Sequence, residues 1–236
     1  MLRHRKTGTG VFVKLGATEV IDLAASCGLD FVVVDLEHSM LSEADALRLI
    51  RHAHALGLPA LVRIPYVDGA LVNRLLEAGA TGIQLSTVRT VAEVEALRAA
   101  CRYAPFGTRS ISLAQPAANY GATPVADYLA QQSAEPPLIV AQIETATTDD
   151  PLPAILAAGV DVAFLGMLDL TVDLGLDAER VHERAEEVMA AAEDAGVTVG
   201  AFGLTDPRVG YRLVASDLAL LRGALSELAT PVRDVA

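Results

Sequence analysis

The sequence predicts a single (β/α)8 TIM barrel, on three observations. Short β-rich runs alternate with helix-period stretches eight times, glycine repeatedly ends a helix just before the next strand, and no linker or composition break divides the 236 residues. Alternation of this kind argues for a parallel sheet, because parallel neighbours need a crossover, and eight repeats close the sheet on itself. A doubly wound open sheet is the competitor on pattern alone. The glycine-rich nucleotide fingerprint that might favour it is missing, since GTGVF precedes a strand rather than following one.

The first strand is expected at 11–15 (VFVKL), followed by a helix at 17–27 and a strand at 31–35 (FVVVD). A helix over 42–56 follows, opened by Ser42 with Asp45 three residues on. Strands at 60–64 and 82–86 flank a helix at 69–78, and Thr90 with Glu93 opens another at 91–101. The second half reads as strands at 138–143, 161–166, 197–202 and 212–216, with helices at 151–158, 178–195 and 217–228. Gly28, Gly57, Gly79, Gly159 and Gly196 each sit where a helix gives way to a strand. One segment breaks the rhythm. Residues 102–137 carry five prolines and two glycines, and no clear amphipathic pattern until VADYLAQQ. Loops this long in a compact domain are usually functional or contact surfaces, and Tyr103, Phe106 and Tyr120 argue against disorder.

Composition narrows the function classes. Hydrophobic residues make up 52% and aromatics only 4%, so the core is Leu, Val, Ile and Ala, as in parallel strands covered by helices. A formal charge of −12 argues against a nucleic-acid partner. No stretch approaches the ~20 apolar residues of a membrane span. The basic start, Arg3 to Lys6, leads into VFVKLGATEVIDLAA, where Lys14 and Glu19 interrupt any signal-like apolar run. Cys27 and Cys101 form no CxxC pair, so a reducing cytoplasm is the expected location.

The stretch VVVDLEHS (32–39) carries the functional question. A strand apolar enough to be covered on both faces ends in Asp35, Glu37 and His38, and burying unpaired charges costs several kcal/mol. In a barrel, the C-terminal strand ends form the rim where active sites sit. Arg63, Ser86, Gln142, Glu144 and Asp169 also fall at or just after strand ends, so these groups converge over one mouth. Glu144 and Asp169, on neighbouring strands, are candidates to share a hard divalent ion; a salt bridge to Arg63 is the alternative. His38 is a candidate general base or a capping residue ahead of the Ser42 helix. Asp35 is an orienter for Arg63 or for a metal-bound water. His52 and His54 read as ordinary helix residues, and Thr145, Thr147 and Thr148 with Asp149 and Asp150 as a loop feeding a helix. Lys6 and Lys14 are the only lysines, so chemistry through a lysine imine is excluded unless Lys14 serves.

The motifs DLEHS (35–39), LVRIP (61–65), LLEAGATGI (75–83), RYAPFGTRSI (102–111), NYG (119–121), AQIET (141–145) and GMLDLTVDLG (166–175) stand in order at barrel spacing. In these the chain resembles the HpcH/HpaI family of metal-dependent 2-oxo-acid aldolases, related to citrate lyase β-subunits, over nearly its whole length. The resemblance implies Glu144 and Asp169 as ligands for Mg2+, Mn2+ or Co2+. It implies Gln142 and the Leu168 backbone as the hold on the oxo acid, His38 as the base and Arg63 as the stabiliser of enolate charge. Glu77 falls where many members have an Asp supporting the histidine, across a subunit boundary. The chain departs from the family in GMLD (166–169) for GPAD, in LSTV (85–88) for a proline-containing turn, and in Glu77 itself.

The reaction so implied is class II carbon–carbon lysis: an aldol between pyruvate, or a related 2-oxo acid, and an aldehyde is made or broken through an enolate. The expected partners are those small molecules and further copies of the chain, as a hexamer or trimer of dimers that exchanges the last helix, 217–228. A Claisen-type enzyme using oxaloacetate or an acyl-CoA is the runner-up, since RSI (109–111) and NYG are similar to members performing citrate-type condensations. With 18 basic against 30 acidic residues, the chain offers few cations for CoA phosphates. A non-catalytic barrel serving as a binding module is the third reading, and retention of every chelating and charged position weighs against it.

Overall fold

The computed structural model describes residues 7–229, and the basic start at 3–6 lies outside them. Eight parallel strands close into one barrel in sequence order: β1 Gly8–Val13, β2 Phe31–Asp35, β3 Ala60–Ile64, β4 Gly82–Leu85, β5 Leu138–Ile143, β6 Val162–Leu165, β7 Thr198–Phe202 and β8 Val209–Ser216. Nine α-helices accompany them among the described residues: α1 Glu19–Ser26, α2 Glu43–Leu56, α3 Gly69–Glu77, α4 Val91–Cys101, α5 Val125–Ala134, α6 Leu152–Ala157, α7 Met167–Asp173, α8 Ala178–Asp194 and α9 Asp217–Leu228. None is long and apolar enough to cross a membrane. Ser42 with Asp45 and Thr90 with Glu93 form reciprocal capping boxes on α2 and α4, so local sequence sets where both helices begin.

The strand period of two divides each stave between two cores. Val32, Val34, Val62, Ile64 and Ile83 face outward into the layer beneath the helices. Phe12, Phe31, Val33, Leu61, Val140, Phe164, Tyr211 and Leu213 fill the barrel interior, where Phe31 stacks on Tyr211 at 4.4 Å between ring centroids. Continuing the inward parity along each stave leads from this apolar plug to Asp35, Arg63, Gln84 and Gln142, all buried. The plug excludes water from below; the polar layer lies above it.

Two strands begin earlier than expected. β1 starts at Gly8, so GTG is strand rather than approach, and β8 starts at Val209. Glycine's poor strand propensity hides β1, but Gly10 is required there: a side chain at that position would overlap the Phe31 ring. The short helix α7, directly after β6, was not foreseen, because GMLDLTVD offers too few turns for a helical period to show. Residues 102–137 are ordered and include a 3-10 turn at Pro116–Gly121 besides α5. Tyr103 meets Tyr128 edge-on at 5.9 Å, and Arg109 lies 4.6 Å over the Tyr103 ring. This segment joins α4 to the start of β5, at the end of the barrel opposite the rim, and packs beside α2 and α3, where Arg51 donates to Tyr120 Oη at 3.1 Å and Asn73 Nδ2 to Ser110 Oγ at 3.0 Å. Cys27 and Cys101 are free thiols, and burial pushes Cys101 up to about 12.

Candidate active site

Asp35 ends β2 and is fully buried, directly in register with Arg63 of β3. Arg63 grips it with both edges of its fork, Nε to Oδ1 at 2.9 Å and Nη2 to Oδ2 at 2.6 Å. Oδ2 also meets the Lys14 ammonium at 3.0 Å, while the backbone N–H groups of Glu37 and His38 donate to Oδ1, each at 3.1 Å. Burial alone pushes this carboxyl up. The Arg63 guanidinium, the His38 amide and Lys14 outweigh that and hold it at about 2. Asp35 therefore holds Arg63 in place and has no free oxygen for the His38 ring.

Glu37 extends the network towards the mouth. Its Oε2 accepts from Ser86 Oγ at 2.5 Å and lies 3.3 Å from Arg63 Nη1 and 3.7 Å from His38 Nε2. The His38 side chain is half exposed and takes no part in capping α2, whose cap is Ser42. Lys14 and Arg63 against Asp35 and Glu37 make a four-charge array with no net charge.

On the other side of the mouth, Glu144 follows β5. Its Oε1 accepts from the Thr87 backbone N–H at 2.8 Å and from Thr87 Oγ1 at 2.7 Å, and Gln142 Nε2 donates to Oε2. Gln84 Nε2 donates to Gln142 Oε1 at 2.6 Å, so a line of amides inside the barrel fixes which end of Gln142 faces Glu144. Thr87 stands at φ 51°, a costly conformation for a β-branched residue and one that turns both its donors onto the carboxylate. Burial pushes Glu144 up; the Thr87 and Gln142 bonds oppose this, and the charges of Asp169 and Glu37 add to it.

Glu37, His38, Thr87, Glu144, Thr145 and Asp169 line one cavity of about 300 Å3. Of the residues singled out from sequence, the structure brings His38, Glu144 and Asp169 around this space. It places Asp35, Arg63 and Gln142 in the buried layer bonded to it. Leu168, 77% exposed on α7, is not among the cavity-lining residues. Glu77 ends α3, which runs away from the rim, and there it accepts from Asn73 Nδ2 at 3.4 Å; it is at the opposite end of its own barrel from His38. The alternative of a salt bridge from Glu144 or Asp169 to Arg63 is not what forms, because Arg63 is committed to Asp35 and Glu37. Gln84 had not been singled out and no motif marks it, while Thr87 was noted only as part of the LSTV departure (85–88), with no role. A larger cavity, about 380 Å3, lies at the far end among Leu58, Gly79, Arg109 and Pro137, away from these carboxylates.

A closed barrel with acid, imidazole and guanidinium groups converging at its C-terminal mouth is the architecture of an enzyme. Residues 8–208 match the family model for HpcH/HpaI aldolase/citrate lyase, and the chain belongs to that family. It is 33% identical to a 4-hydroxy-4-methyl-2-oxoglutarate aldolase of Chaetomium globosum, over 92% of this chain and 87% of that one. A hydroxypyruvate/pyruvate aldolase of Sagittula stellata is 32% identical over 82% of this chain and 74% of its own. The crystal structure of an HpcH/HpaI aldolase from Desulfitobacterium hafniense superposes with a TM-score of 0.87 at 27% identity, covering 98% of this chain and 94% of that one. The protein is a lyase of the 2-oxo-acid aldolase class.

Removing one partner of a buried pair strands the others, at about 3–5 kcal/mol. Asp35→Asn should therefore lower unfolding free energy by that order at pH 7. Because the folded carboxyl lies below its ordinary value of 3.8, at about 2, the stability it contributes is present above pH ~4 and lost as pH falls towards ~2. In denaturant titrations across that range the difference between the two proteins should narrow, by about 2 kcal/mol. A constant difference from pH 7 down to pH 2 would contradict the assignment.

Proposed function

We propose that the protein is a divalent-metal-dependent class II aldolase, making or breaking the bond between C3 of pyruvate, or a close 2-oxo acid, and an aldehyde carbon. The observation that carries this reading is the pairing, at one mouth, of an acidic cavity bearing a histidine with an arginine held rigidly beside it. Glu144 and Asp169 are the residues that would hold the cation. Their fit rests on this structure: oxygen donors suit Mg2+, Mn2+ or Co2+, and burial first, with the charges of Asp169 and Glu37 adding to it, pushes Glu144 up, a cost that a cation would relieve. A side chain at Gly166 would overlap the Glu144 carboxylate, so the backbone is cleared for it. Bound there, the cation polarises the 2-oxo group and offsets negative charge developing on its oxygen.

The chain's own residues do the rest. Gln142 and the backbone at Leu168 hold the oxo acid. In the cleavage direction His38 takes the proton of the C4 hydroxyl, the C3–C4 bond breaks to release the aldehyde, and its electrons pass to the keto oxygen as the enolate. Arg63, fixed by Asp35, faces that charge, and a proton returned to C3 completes pyruvate. No lysine imine is needed. Glu77, remote from His38 in its own chain, supports the histidine of a neighbouring copy, so the active unit is a homo-oligomer, a hexamer built as a trimer of dimers. The helix α9 favours this assembly: Leu218, Leu220, Leu221, Leu225 and Leu228 are all exposed, and of its residues only Asp217 is buried.

In D2O the metal-loaded protein should exchange the methyl protons of pyruvate without any aldehyde, as followed by NMR. Chelation should abolish exchange, and Mg2+ or Mn2+ should restore it, while Glu144→Gln and Asp169→Asn should each lose exchange but keep the fold. Full exchange in excess chelator would overturn the metal role.

Light scattering at micromolar concentration should give the mass of an oligomer, and Leu221→Lys with Leu225→Lys should reduce it. A monomeric wild-type mass would refute the assembly.

A further inference from the structure

Lys14 is the first residue after β1 and is absorbed by none of the steps above. Its side chain is 19% exposed, with Nζ 3.0 Å from Asp35 Oδ2 and donating at 3.0 Å to the His38 carbonyl oxygen. Its own backbone is pinned from the far end of the chain. Asp217, the first residue of α9 and 7% exposed, accepts the N–H groups of Lys14 and Leu15 on Oδ2 at 2.9 and 2.8 Å, and that of Leu218 on Oδ1 at 2.7 Å. Asp217 thus staples the end of β1 to the start of α9, and Lys14 crosses from the staple to the loop that carries His38.

We infer that Lys14 is a positioning residue for the reaction, with its ammonium tying the His38 loop and the Asp35–Arg63 pair to a β1 end that Asp217 holds against α9. The charges require a second cation at this place. Without Lys14 the array keeps Arg63 against two carboxylates, Asp35 and Glu37, beside a mouth already bearing Glu144 and Asp169. Arg63 is then consumed by its acidic neighbours and offers less to charge arising on a substrate. The loop loses its bond at the same time: the His38 carbonyl is the point where Lys14 holds it, on the residue that moves the proton. Lys14 acts through Asp35 and His38 and is not among the residues lining the cavity, so its loss changes turnover rather than ground-state binding. The route also connects the exposed apolar helix α9 to the mouth, so whatever seats α9 bears on the placement of His38.

This inference rests on the aldolase reading, and two measurements keep them apart. The first needs no activity: amide hydrogen exchange by mass spectrometry on the metal-loaded full chain. Lys14→Met should speed exchange across residues 36–41 and leave the outer strands as in wild type, and Asp217→Ala should do the same. The second is pyruvate methyl-proton exchange with Mg2+. Lys14→Met should slow it by roughly 10–100-fold with the pyruvate KM within about twofold of wild type, and Lys14→Arg should recover most of the rate. Unchanged protection at 36–41 in Lys14→Met overturns the inference. So does an unchanged rate, or a rate loss that appears wholly in KM. Wild-type protein that exchanges no pyruvate protons sinks the aldolase reading, while the loop protection still decides whether Lys14 positions His38. A pyruvate adduct on Lys14 after borohydride reduction makes it a nucleophile and overturns its assignment as a positioning residue.

Discussion

The carboxylate of Asp35 is buried without access to water, and the mouth is arranged around keeping it charged. An ion so placed costs several kcal/mol unless it is paired and its lone pairs are taken. Here Arg63 takes both oxygens, Lys14 a further site on one, and two backbone amides the other. The gain from such a pair lies less in net stability than in placement. A guanidinium gripped in bidentate fashion, and lying 4.5 Å over the Phe12 ring, has little freedom to follow a substrate. It is set before the reaction starts, which is what electrostatic stabilisation of a transient charge requires.

Glu144 illustrates the opposite treatment of a carboxylate. No cation neutralises it among the described residues; threonine and amide donors orient it, and neighbouring acids repel it. The two carboxylates differ in what meets their charge. Asp35 is satisfied within the protein, whereas Glu144 is held in position with its charge unmet. The apolar plug of Phe12, Phe31, Phe164 and Tyr211 below them keeps both in a water-poor layer, where charge interactions are strong.

Much of this could be read from sequence, because parity and register act locally. FVVVD and ALVRI each alternate outward and inward residues, so Asp35 and Arg63 had to face the same interior once both strands were parallel neighbours. Family motifs carried Glu144 and Asp169. What escaped was mostly contact and role, which leave no periodic or compositional mark. Thr87 matters through a backbone angle, Gln84 through a contact with a stave 58 residues away, and Lys14 through Asp217, 203 residues distant. The helix α7 is too short to declare a period, and Gly8 and Gly10 disguised a strand that exists because its neighbour's Phe31 fills the space. Glu77 was legible as a motif, but only the fold showed how far it stands from its own His38.

In the proposed reaction Arg63 is pre-set for charge that appears only as the oxo acid enolises. Calorimetric titration of the Mg2+-loaded protein with oxalate, a planar dianion resembling the enolate of pyruvate, and with pyruvate itself tests this most directly. On replacing Arg63 by Met, oxalate affinity should fall on the order of 10²-fold, while pyruvate affinity should fall by much less. Equal losses for the two ligands, or no loss for oxalate, would contradict it.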